Sequence, residues 1–375
     1  MCGGGHPRIA GLEGGMVRGG GAVEKAGGGQ TRANERAGGG AVAEVGDAGP
    51  AARPSFVVGF CVSDKKFRRL MRASFMELLA AHRIEARLLL PGVPIADQGP
   101  FSAVLHKVPR GSSFEQQLRE FAAAYPAVPI IDPIEKIAQI QSRERMLSAV
   151  GQLRFRVGAA GPGPPGAPLR IPVQVFVEDA SSMELVLRRL EESGVRPPLL
   201  VKPANPSQHE IYAVPDLQRL QELFERGELH RHAGGVLLQN FVDHGGTLHK
   251  IYVVGRRVVE DLRNSLPDVK NWGQLEAQWG KPLGRVSAYR RPSREESPAE
   301  ASPLGPNLDG GLCTAIARAL QAHLQLSLFN FDLIKDADGH MYVIDINYFP
   351  GLSKVPGYEQ IFLEFLAESC TEPPD

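Results

Sequence analysis

Three oxygen-bearing side chains near the carboxyl end of the chain have the types and the spacing of a metal site. Asp332 interrupts an apolar strand predicted over 328–334, and Asp345 and Asn347 lie two residues apart at the end of the next predicted strand, 340–346. Side chains two apart on a strand point to the same face, and carboxylate and amide oxygens suit Mg²⁺ with phosphates completing its shell. Alternatively, both aspartates are solvent-facing strand residues. Each is bracketed by large apolar residues, where a lone carboxylate is costly, so we favour metal ligands.

The turn between these two predicted strands, residues 336–339, reads Asp-Ala-Asp-Gly and is typical of a hairpin. Its spacing superficially resembles a calcium loop, but no glutamate occupies the closing position. We therefore predict a plain turn.

Lys202 ends a predicted buried strand, 199–202, and directly precedes Pro203. A lysine delivered from a strand into a cleft can lie against nucleotide phosphates as a point charge, although a lysine at a strand end is more often simply solvated. The segment from Gln239 to Val242 leaves the next strand in extended form and could present its backbone to an adenine edge. Each of these two signals is weak when taken alone.

The elements that must position these residues begin at residue 55, where short apolar runs start to alternate with helical patterns. This alternation predicts parallel pairing and an α/β layer, with strands over 56–63, 85–90, 101–106 and 128–131 and a helix over 113–125. A second unit is predicted to hold helices over 133–150 and 217–224, strands over 173–177, 199–202 and 236–240, and a helix from a Ser181/Ser182 cap to a Gly194 stop. The last unit is predicted to hold strands over 249–254, 257–262, 328–334 and 340–346 and a helix over 312–323.

Three segments are predicted to lie outside these elements. Residues 1–54 hold 17 of the 42 glycines and no aromatic residue, which favours a disordered extension. Six basic residues there would suit an organelle transit peptide, but five acidic residues and scarce serine argue against one. Residues 158–168 are interpreted as a stiff or disordered Gly/Pro insertion, and residues 280–307, rich in Pro, Ser, Arg and Glu, as an exposed excursion.

The overall charge and composition exclude several classes of protein. The chain has 375 residues, and 42 lysines and arginines balance 42 aspartates and glutamates, which argues against nucleic-acid binding by bulk positive charge. No apolar run approaches the ~20 residues that span a bilayer. Four scattered cysteines argue against a disulfide scaffold or a structural zinc site and favour a reducing compartment. We expect a cytoplasmic protein, with a nuclear location also open.

A set of short motifs follows in order along the chain: Ser63-Asp-Lys-Lys66, Leu105-His-Lys107, Ile131-Asp-Pro133, Ser142-Arg143, Val201-Lys202, Ser207-Gln-His209, Gln239-Asn-Phe-Val-Asp-His244, Lys250-Ile-Tyr-Val-Val-Gly255, Arg263-Asn-Ser-Leu-Pro-Asp268, Phe331-Asp332 and Ile344-Asp-Ile-Asn-Tyr-Phe-Pro-Gly351. Each motif is weak by itself. The ordered set, over about residues 55–370, resembles the inositol-tetrakisphosphate 1-kinase (inositol-trisphosphate 5/6-kinase) branch of the ATP-grasp enzymes, and most of all its plant members.

This resemblance implies an α/β ATP-grasp fold, in which an N-terminal α/β (pre-ATP-grasp) domain precedes two α+β subdomains that clamp the nucleotide. We expect the N-terminal domain at 55–132, the central subdomain at 133–242 and the C-terminal subdomain with the metal site at 243–375.

The resemblance also implies a role for individual residues. Two Mg²⁺ ions with ATP would be held at Asp332, Asp345 and Asn347. ATP would contact Arg143, Lys202, Gln239, Val242 and Ser265. The inositol phosphates would contact Lys66, Lys107, His209, His244, Lys250, Arg263, Gly351 and Lys354. Catalysis would depend on Lys202, Arg263 and His209. A substrate with several phosphates does require such a ring of cationic donors.

The loop after Lys202 departs from the family pattern. It is shorter than usual, ends at His209 and contains no glycine. Pro203 and Pro206 remove two backbone N–H donors and stiffen a segment that is expected to close over the nucleotide phosphates. The departure bears on loop closure and on the placement of His209. The Gly/Pro insertion at 158–168 is a second departure, in a connection.

We therefore predict a kinase that transfers the γ-phosphoryl group of ATP to a ring hydroxyl of an inositol tris- or tetrakisphosphate. Its partners would be ATP and the inositol polyphosphate, with no nucleic acid and no membrane span, and a monomer is favoured. An ATP-grasp carboxylate–amine ligase would share the metal and ATP residues but needs a site for a carboxylate acceptor. A catalytically weak inositol-phosphate-binding protein would keep the basic pocket while its shortened loop fails.

Overall fold

The structure, a computed structural model, describes residues 55–151, 169–205, 208, 210–232, 234–273 and 308–371. The predicted extension at 1–54, the insertion at 158–168, the excursion at 280–307 and the candidate residue His209 lie outside the described residues. Within the described ranges, none of the helices combines the length and apolar character that a membrane span requires.

The first sheet is parallel, as predicted, with the strand order β2-β1-β3-β4. Its strands are β1 (Phe56–Cys61), β2 (Ile84–Leu88), β3 (Ala103–His106) and β4 (Ile130–Ile131), and its helices are α1 (Asp64–Leu70), α2 (Ala73–Ala81) and α3 (Ser113–Ala124). A short 3₁₀ helix, Ile95–Gln98, precedes β3. Because carboxyl ends of parallel strands meet at one edge, the ends of β1 and β3 deliver Lys66 and Lys107 to the same edge.

The second sheet is antiparallel, with the strand order β5-β8-β6-β7. Its strands are β5 (Gln174–Val177), β6 (Leu199–Pro203), β7 (Tyr212–Val214) and β8 (Val236–Asn240), and its helices are α6 (Met183–Ser193) and α7 (Leu217–Glu225). Ser182 caps α6 and Gly194 ends it at φ +73°, which confirms the predicted start and stop signals. Val201 and Leu238 face the core of this layer, so alternation turns their neighbours Lys202 and Gln239 to the opposite face.

The third sheet is also antiparallel, with the strand order β10-β9-β11-β12. Its strands are β9 (Thr247–Val254), β10 (Arg257–Asn264), β11 (Leu328–Lys335) and β12 (Met341–Tyr348). A register shift between Asp332 and Leu333 leaves Ile344 without a cross-strand partner. This bulge shifts the alternation of side chains along β12. Val343 and Ile346 face the core, and Asp345 lies on the opposite face. Without the bulge, Asp345 would share the face of Val343.

The remaining helices join the three sheets. Helix α5 (Arg143–Gly151) and helix α8 (Gly310–Leu324) pack on the core face of the third sheet, and helix α9 (Tyr358–Thr371) packs against the first sheet and α2. The helix predicted over 133–150 is divided into α4 (Ile134–Ile137), a 3₁₀ turn (Ala138–Ile140) and α5. The predicted boundary at residue 133 assigned this segment to the central subdomain, whereas its buried side chains contact the third sheet. Another 3₁₀ turn, Val269–Asn271, follows β10.

Candidate functional site

A cavity of about 350 Å³ lies between the second and third sheets, within the ~300–1,000 Å³ range of small-molecule sites. Apolar residues from both sheets form much of its wall, among them Leu200, Val242 and Ile344. Its polar lining includes many of the residues singled out from the sequence: Arg143, Lys202, Gln239, His244, Ser265, Asp332 and Asp345.

Lys202 is held in place by a chain of side-chain hydrogen bonds across the second sheet. Its Nζ donates to Gln239 Oε1 at 2.6 Å, and Gln239 Nε2 donates to Gln174 Oε1 at 2.8 Å. Burial, and after it the nearby Arg143, lower the pKa of Lys202 to about 8, against the effect of Asp345 and Asp332. An anion in the cavity would therefore stabilise the charged form of Lys202. The Gln239 side chain is engaged by Lys202 and Gln174. If this segment contacts an adenine edge, as the sequence predicts, Gln239 would do so through its backbone groups.

His244 connects the segment after β8 to the segment after β10. Its Nδ1 lies 2.6 Å from the Val242 carbonyl oxygen, and its Nε2 lies 2.8 Å from Ser265 Oγ. A carbonyl oxygen can only accept, so Nδ1 carries the proton and Nε2 accepts from the Ser265 hydroxyl. Burial lowers the pKa of His244, although the hydrogen bond to Val242 opposes this. The backbone N–H of His244 donates to Asp268 Oδ1 at 3.1 Å, so the ring braces this wall of the cavity.

Arg143 lines the same cavity, and its guanidinium also holds the loop after β6. Its Nη1 donates to the carbonyl of Pro203 at 2.5 Å and to those of Asn205 and Gln208 at 3.4 Å. Burial lowers the pKa of Arg143, against the effect of Asp345. The shortened, glycine-free loop is therefore tied to α5 through its carbonyl groups.

The three predicted metal ligands lie together on one face of the third sheet. Asp332 and Asp345 are directly opposite on β11 and β12, and Asn347 Nδ2 donates to Asp345 Oδ2 at 2.6 Å. Lys250, opposite Asp332 on β9, forms an ion pair with Asp332. The carboxylate and amide oxygens of Asp332, Asp345 and Asn347 form an oxygen donor set, which fits a divalent cation such as Mg²⁺.

The same face continues across β9 and β10. Asp261 is directly opposite Lys250, and Arg263 donates to Asp261 Oδ2 through Nε at 2.8 Å and through Nη2 at 2.6 Å. Its Nη2 also donates to the Tyr252 hydroxyl at 2.9 Å. Burial disfavours the charge on Arg263, but the hydrogen bond to Asp261 and the nearby Tyr252, Asp261 and Asp332 together outweigh burial and raise its pKa. We call the residues that share this face the polar row: Asp345, Asn347, Asn330, Asp332, Lys250, Tyr252, Asp261 and Arg263.

Lys66 and Lys107 reach the end of the polar row from the first sheet. Lys66 Nζ donates to the carbonyls of Phe349 at 2.8 Å and Pro350 at 3.1 Å, and Lys107 Nζ donates to the carbonyl of Tyr348 at 2.9 Å. Burial, and after it the positive charge of Lys107, lower the pKa of Lys66 to about 7. Burial also lowers the pKa of Lys107, against the effect of Asp345. Both ammonium groups contact carbonyls and lie over the rings of Phe349 and Tyr348, and an anion would stabilise their charges.

Two predicted residues stay apart from these contacts. Gly351 and Lys354 are exposed, and a side-chain carbon placed on Gly351 would meet no described atom within 4 Å. They follow directly on the carbonyls that hold Lys66 and Lys107, at the open side of the polar row.

Sequence reasoning did not identify two residues, Gln174 and Asp132, that hold other parts of the site in position. Gln174 anchors Gln239, as described above. Asp132 accepts from the Ser327 backbone N–H at 2.7 Å and from the Leu328 N–H at 3.0 Å, and its carbonyl lies 2.7 Å from His106 Nε2. It thereby fixes the start of β11 to the first sheet. Its place in the Ile-Asp-Pro motif was the available signal.

Two protein-family models match the chain. The inositol 1,3,4-trisphosphate 5/6-kinase pre-ATP-grasp domain matches residues 57–137, and the ATP-grasp domain of the same family matches residues 167–368. Together they span all three sheets.

Curated relatives and solved structures agree with these matches. The chain is 32% identical to inositol-tetrakisphosphate 1-kinase 2 of Glycine max, over 83% of this chain and 94% of the relative. It is 33% identical to inositol-tetrakisphosphate 1-kinase 1 of Zea mays, over 84% and 89% of the two chains. Among solved structures, D-alanyl-alanine synthetase A of Vibrio cholerae matches with a TM-score of 0.53 at 14% identity, over 84% of this chain and 97% of that chain. A RimK domain ATP-grasp protein of Sphaerobacter thermophilus matches with a TM-score of 0.50 at 16% identity, over 83% and 99%. These two likenesses concern the fold alone.

Proposed function

Because the chain belongs to the inositol 1,3,4-trisphosphate 5/6-kinase family of ATP-grasp proteins, we propose that its nucleotide cavity and polar row together form the active site of an inositol polyphosphate kinase. The protein is an ATP-dependent kinase that uses Mg²⁺ and phosphorylates an inositol phosphate. The acceptor is an inositol tris- or tetrakisphosphate, and the group transferred to its ring hydroxyl is the γ-phosphoryl of ATP.

The observation that carries this assignment is the placement of the polar row. Asp332 and Asp345 line the cavity between the second and third sheets, and on the same sheet face Lys250 and Arg263 add positive charge. Lys66 and Lys107 come from another sheet and end at the carbonyls of 348–350. A nucleotide in the cavity and a polyanionic acceptor at these cations would meet at the aspartates.

The cavity residues bind and orient the nucleotide. Lys202 and Arg143 offset phosphate charge, the backbone near Gln239 and Val242 meets the base, and Ser265 supports this wall through His244. Asp332, Asp345 and Asn347 would hold two Mg²⁺ ions, which neutralise charge on the β- and γ-phosphates when bound. Positioning and electrostatics supply most of the rate enhancement, because a loose phosphoryl-transfer transition state needs little covalent help.

The acceptor is held by the cations of the polar row and of the first sheet. Lys66, Lys107, Lys250 and Arg263 bind its phosphates, and Gly351 and Lys354 complete the pocket. His209, which lies outside the described residues, is assigned to the acceptor by the family resemblance alone. Arg263 remains charged near the transferring group. The first sheet thus serves the acceptor, the second sheet serves the nucleotide, and the third sheet serves the metal and both substrates. The working unit is a monomer.

The ATP-grasp ligases share the fold but need a site for a carboxylate acceptor. Four cations around the acceptor position favour a substrate with several phosphates over a single carboxylate. A protein that only binds inositol phosphates would keep these cations but lose turnover, and the loop that Arg143 ties down is where such a loss would arise.

Product analysis tests this function. Purified protein is incubated with ATP, Mg²⁺ and a panel of inositol tris- and tetrakisphosphates, and the inositol phosphates are separated by anion exchange. We expect an acceptor with one additional phosphate and stoichiometric ADP. Tight acceptor binding without any product would leave only the binding protein, and ADP release that depends on a carboxylate acceptor would identify a ligase.

A further inference from the structure

Asn330 belongs to the polar row but has no part in the function described so far. It lies two residues before Asp332 on β11, directly opposite Tyr252 on β9 and Asn347 on β12. The register between Leu328 and Asp332 is regular, because the bulge begins only after Asp332. Asn330 therefore shares the face of Asp332.

The Asn330 side chain is buried and incompletely paired. The residue is 2% exposed, and its carboxamide oxygen Oδ1 has no hydrogen-bond partner within the part of the chain that the structure describes. Its neighbours Phe329 and Phe331 turn to the opposite, apolar core. A buried acceptor without a donor destabilises a fold. A ligand can supply the missing donor only if the groups that cover Oδ1 in this structure move aside.

The position of Asn330 identifies the part of the site that it serves. On one side of it along β11 lies the carboxylate of Asp332, and on the other side Leu328 enters the core shared with the first sheet. Across β12 it faces Asn347, the residue before the carbonyl groups that hold Lys66 and Lys107. Asn330 thus lies between the metal ligands and the cations of the acceptor pocket.

The chemistry of the acceptor substrate indicates which of its groups could donate a hydrogen bond to Asn330 Oδ1. Ionised phosphates only accept hydrogen bonds, and they are served by the surrounding lysines, whereas a free ring hydroxyl both donates and accepts. We propose that Asn330 accepts a hydrogen bond from a free hydroxyl of the inositol ring and thereby selects acceptors that carry a hydroxyl, rather than a phosphate, at that position. A phosphate there would set its oxygens against Oδ1 without a proton between them, which disfavours the wrong isomer. This inference rests on the proposed function, because the acceptor pocket is itself part of that proposal.

Asn330→Leu tests the proposal, since leucine has a similar volume and no hydrogen-bonding groups. Binding of inositol tetrakisphosphate, which has two free hydroxyls, and of inositol hexakisphosphate, which has none, is measured by calorimetry without nucleotide or Mg²⁺. We expect the tetrakisphosphate to bind about tenfold more weakly. The hexakisphosphate should bind at least as tightly as it does to the wild type, because the oxygen that repels its phosphates has been removed. The melting temperature of the variant should equal or exceed that of the wild type, because an unpaired acceptor has been removed from the interior.

Several results would overturn the proposal. Equal weakening of both ligands, or of neither, would exclude a hydroxyl contact. A lower melting temperature with unchanged tetrakisphosphate affinity would make Asn330 a structural residue, and a loss seen only after adding Mg²⁺ would assign its partner to a metal-bound water. If the leucine variant does not fold, Asn330→Ala, which also lacks a side-chain hydrogen-bonding group, is measured in the same way. Failure of the wild type to bind either ligand would instead remove the proposed function, so the two failures are distinguishable.

Discussion

The nucleotide cavity and the acceptor end of the polar row differ in how their polar groups are satisfied. In the cavity, side chains pair with one another: Lys202 with Gln239, Gln239 with Gln174, and His244 with Ser265. At the acceptor end, Lys66 and Lys107 are held by the backbone carbonyls of 348–350, and Asn330 Oδ1 has no partner in the described part of the chain.

This difference indicates where ligand binding does its work. In the cavity Lys202 is fixed by a chain of side chains and Arg143 by the carbonyls of Pro203, Asn205 and Gln208. A nucleotide would therefore meet preorganised groups, and its phosphates would compensate the charge of Lys202. At the acceptor end the half-buried Lys66 and Lys107 contact backbone carbonyls and aromatic rings, and an anionic substrate would compensate their charges further. Substitutions in the cavity should therefore weaken the binding of ATP, and substitutions at the acceptor end should weaken the binding of the inositol phosphate.

The largest loss of activity is expected from substitution of an aspartate that lies between the cavity and the acceptor end. Asp345→Asn keeps the size of the side chain but removes a carboxylate from the proposed Mg²⁺ site. We expect kcat to fall by about 10³, since loss of one charge-stabilising group at a reacting centre costs roughly 10²–10³ in rate. The rate is measured by ADP release at saturating ATP and acceptor, and Mg²⁺ affinity in the presence of ADP by calorimetry.

Asp97→Asn is the matched control for this variant. Asp97 lies exposed on the 3₁₀ helix Ile95–Gln98, and its replacement should leave kcat and Mg²⁺ affinity unchanged. Equal activity of the two variants would remove Asp345 from the metal site.

Lys107→Met tests the acceptor end alone. The variant keeps most of the buried alkyl chain but removes the ammonium group. We expect the KM for inositol tetrakisphosphate to rise by about 30-fold, because a charge-assisted contact to a phosphate is lost, while the KM for ATP stays constant. A parallel rise in the KM for ATP would show that the two regions are not independent.

The lowered pKa of Lys66 predicts a pH dependence of acceptor binding. A lysine is charged below its pKa, and burial lowers that of Lys66 to about 7. Above pH 7 the free protein therefore carries a partly neutral Lys66, and binding of an anion must take up a proton. Calorimetry at pH 8 in buffers of different ionisation enthalpy should show more proton uptake for the wild type than for Lys66→Arg, whose guanidinium stays charged. Identical proton uptake would place the titrating group elsewhere.

The smallest effect is expected from His244, which the resemblance assigned to the acceptor. Its ring contacts Val242 and Ser265 on the cavity wall, so we expect His244→Leu to raise the KM for ATP about fivefold, the cost of roughly one hydrogen bond, and to leave the acceptor KM unchanged. His244→Asn, which can retain a donor near the Val242 carbonyl, should recover part of the loss. An effect confined to the acceptor KM would restore the assignment from the resemblance.

The local features of the fold were the most predictable from sequence. Parallel pairing in the first sheet follows from alternating strands and helices, and the ends of α6 follow from Ser182 and Gly194. Helix α9 and strand β7 were not predicted. The division of the segment at 133–150 also escaped prediction, because its apolar residues serve packing on a distant sheet rather than one continuous helical face.

The composition of the candidate site was predictable, but its connections were not. The spacing of Asp345 and Asn347 predicted that they share a face. The bulge at Ile344 decides which way that face is turned. A pattern of alternating side chains does not reveal such a bulge in the sequence. Gln174 and Asp132 act through contacts between residues far apart in sequence, 65 and 195 positions. Asn330 could have been found, because it stands two residues from Asp332 on the same strand.

The most direct measurement concerns the distance between the metal and the acceptor. Mn²⁺ is substituted for Mg²⁺ with a non-hydrolysable ATP analogue, and the phosphorus NMR signals of bound inositol tetrakisphosphate are recorded. If the nucleotide cavity and the acceptor cations meet at Asp332 and Asp345, Mn²⁺ broadens the inositol phosphate signals strongly, and Asp345→Asn abolishes the broadening while acceptor binding persists. Sharp signals from a fully bound acceptor beside the Mn²⁺–nucleotide complex would contradict a shared site.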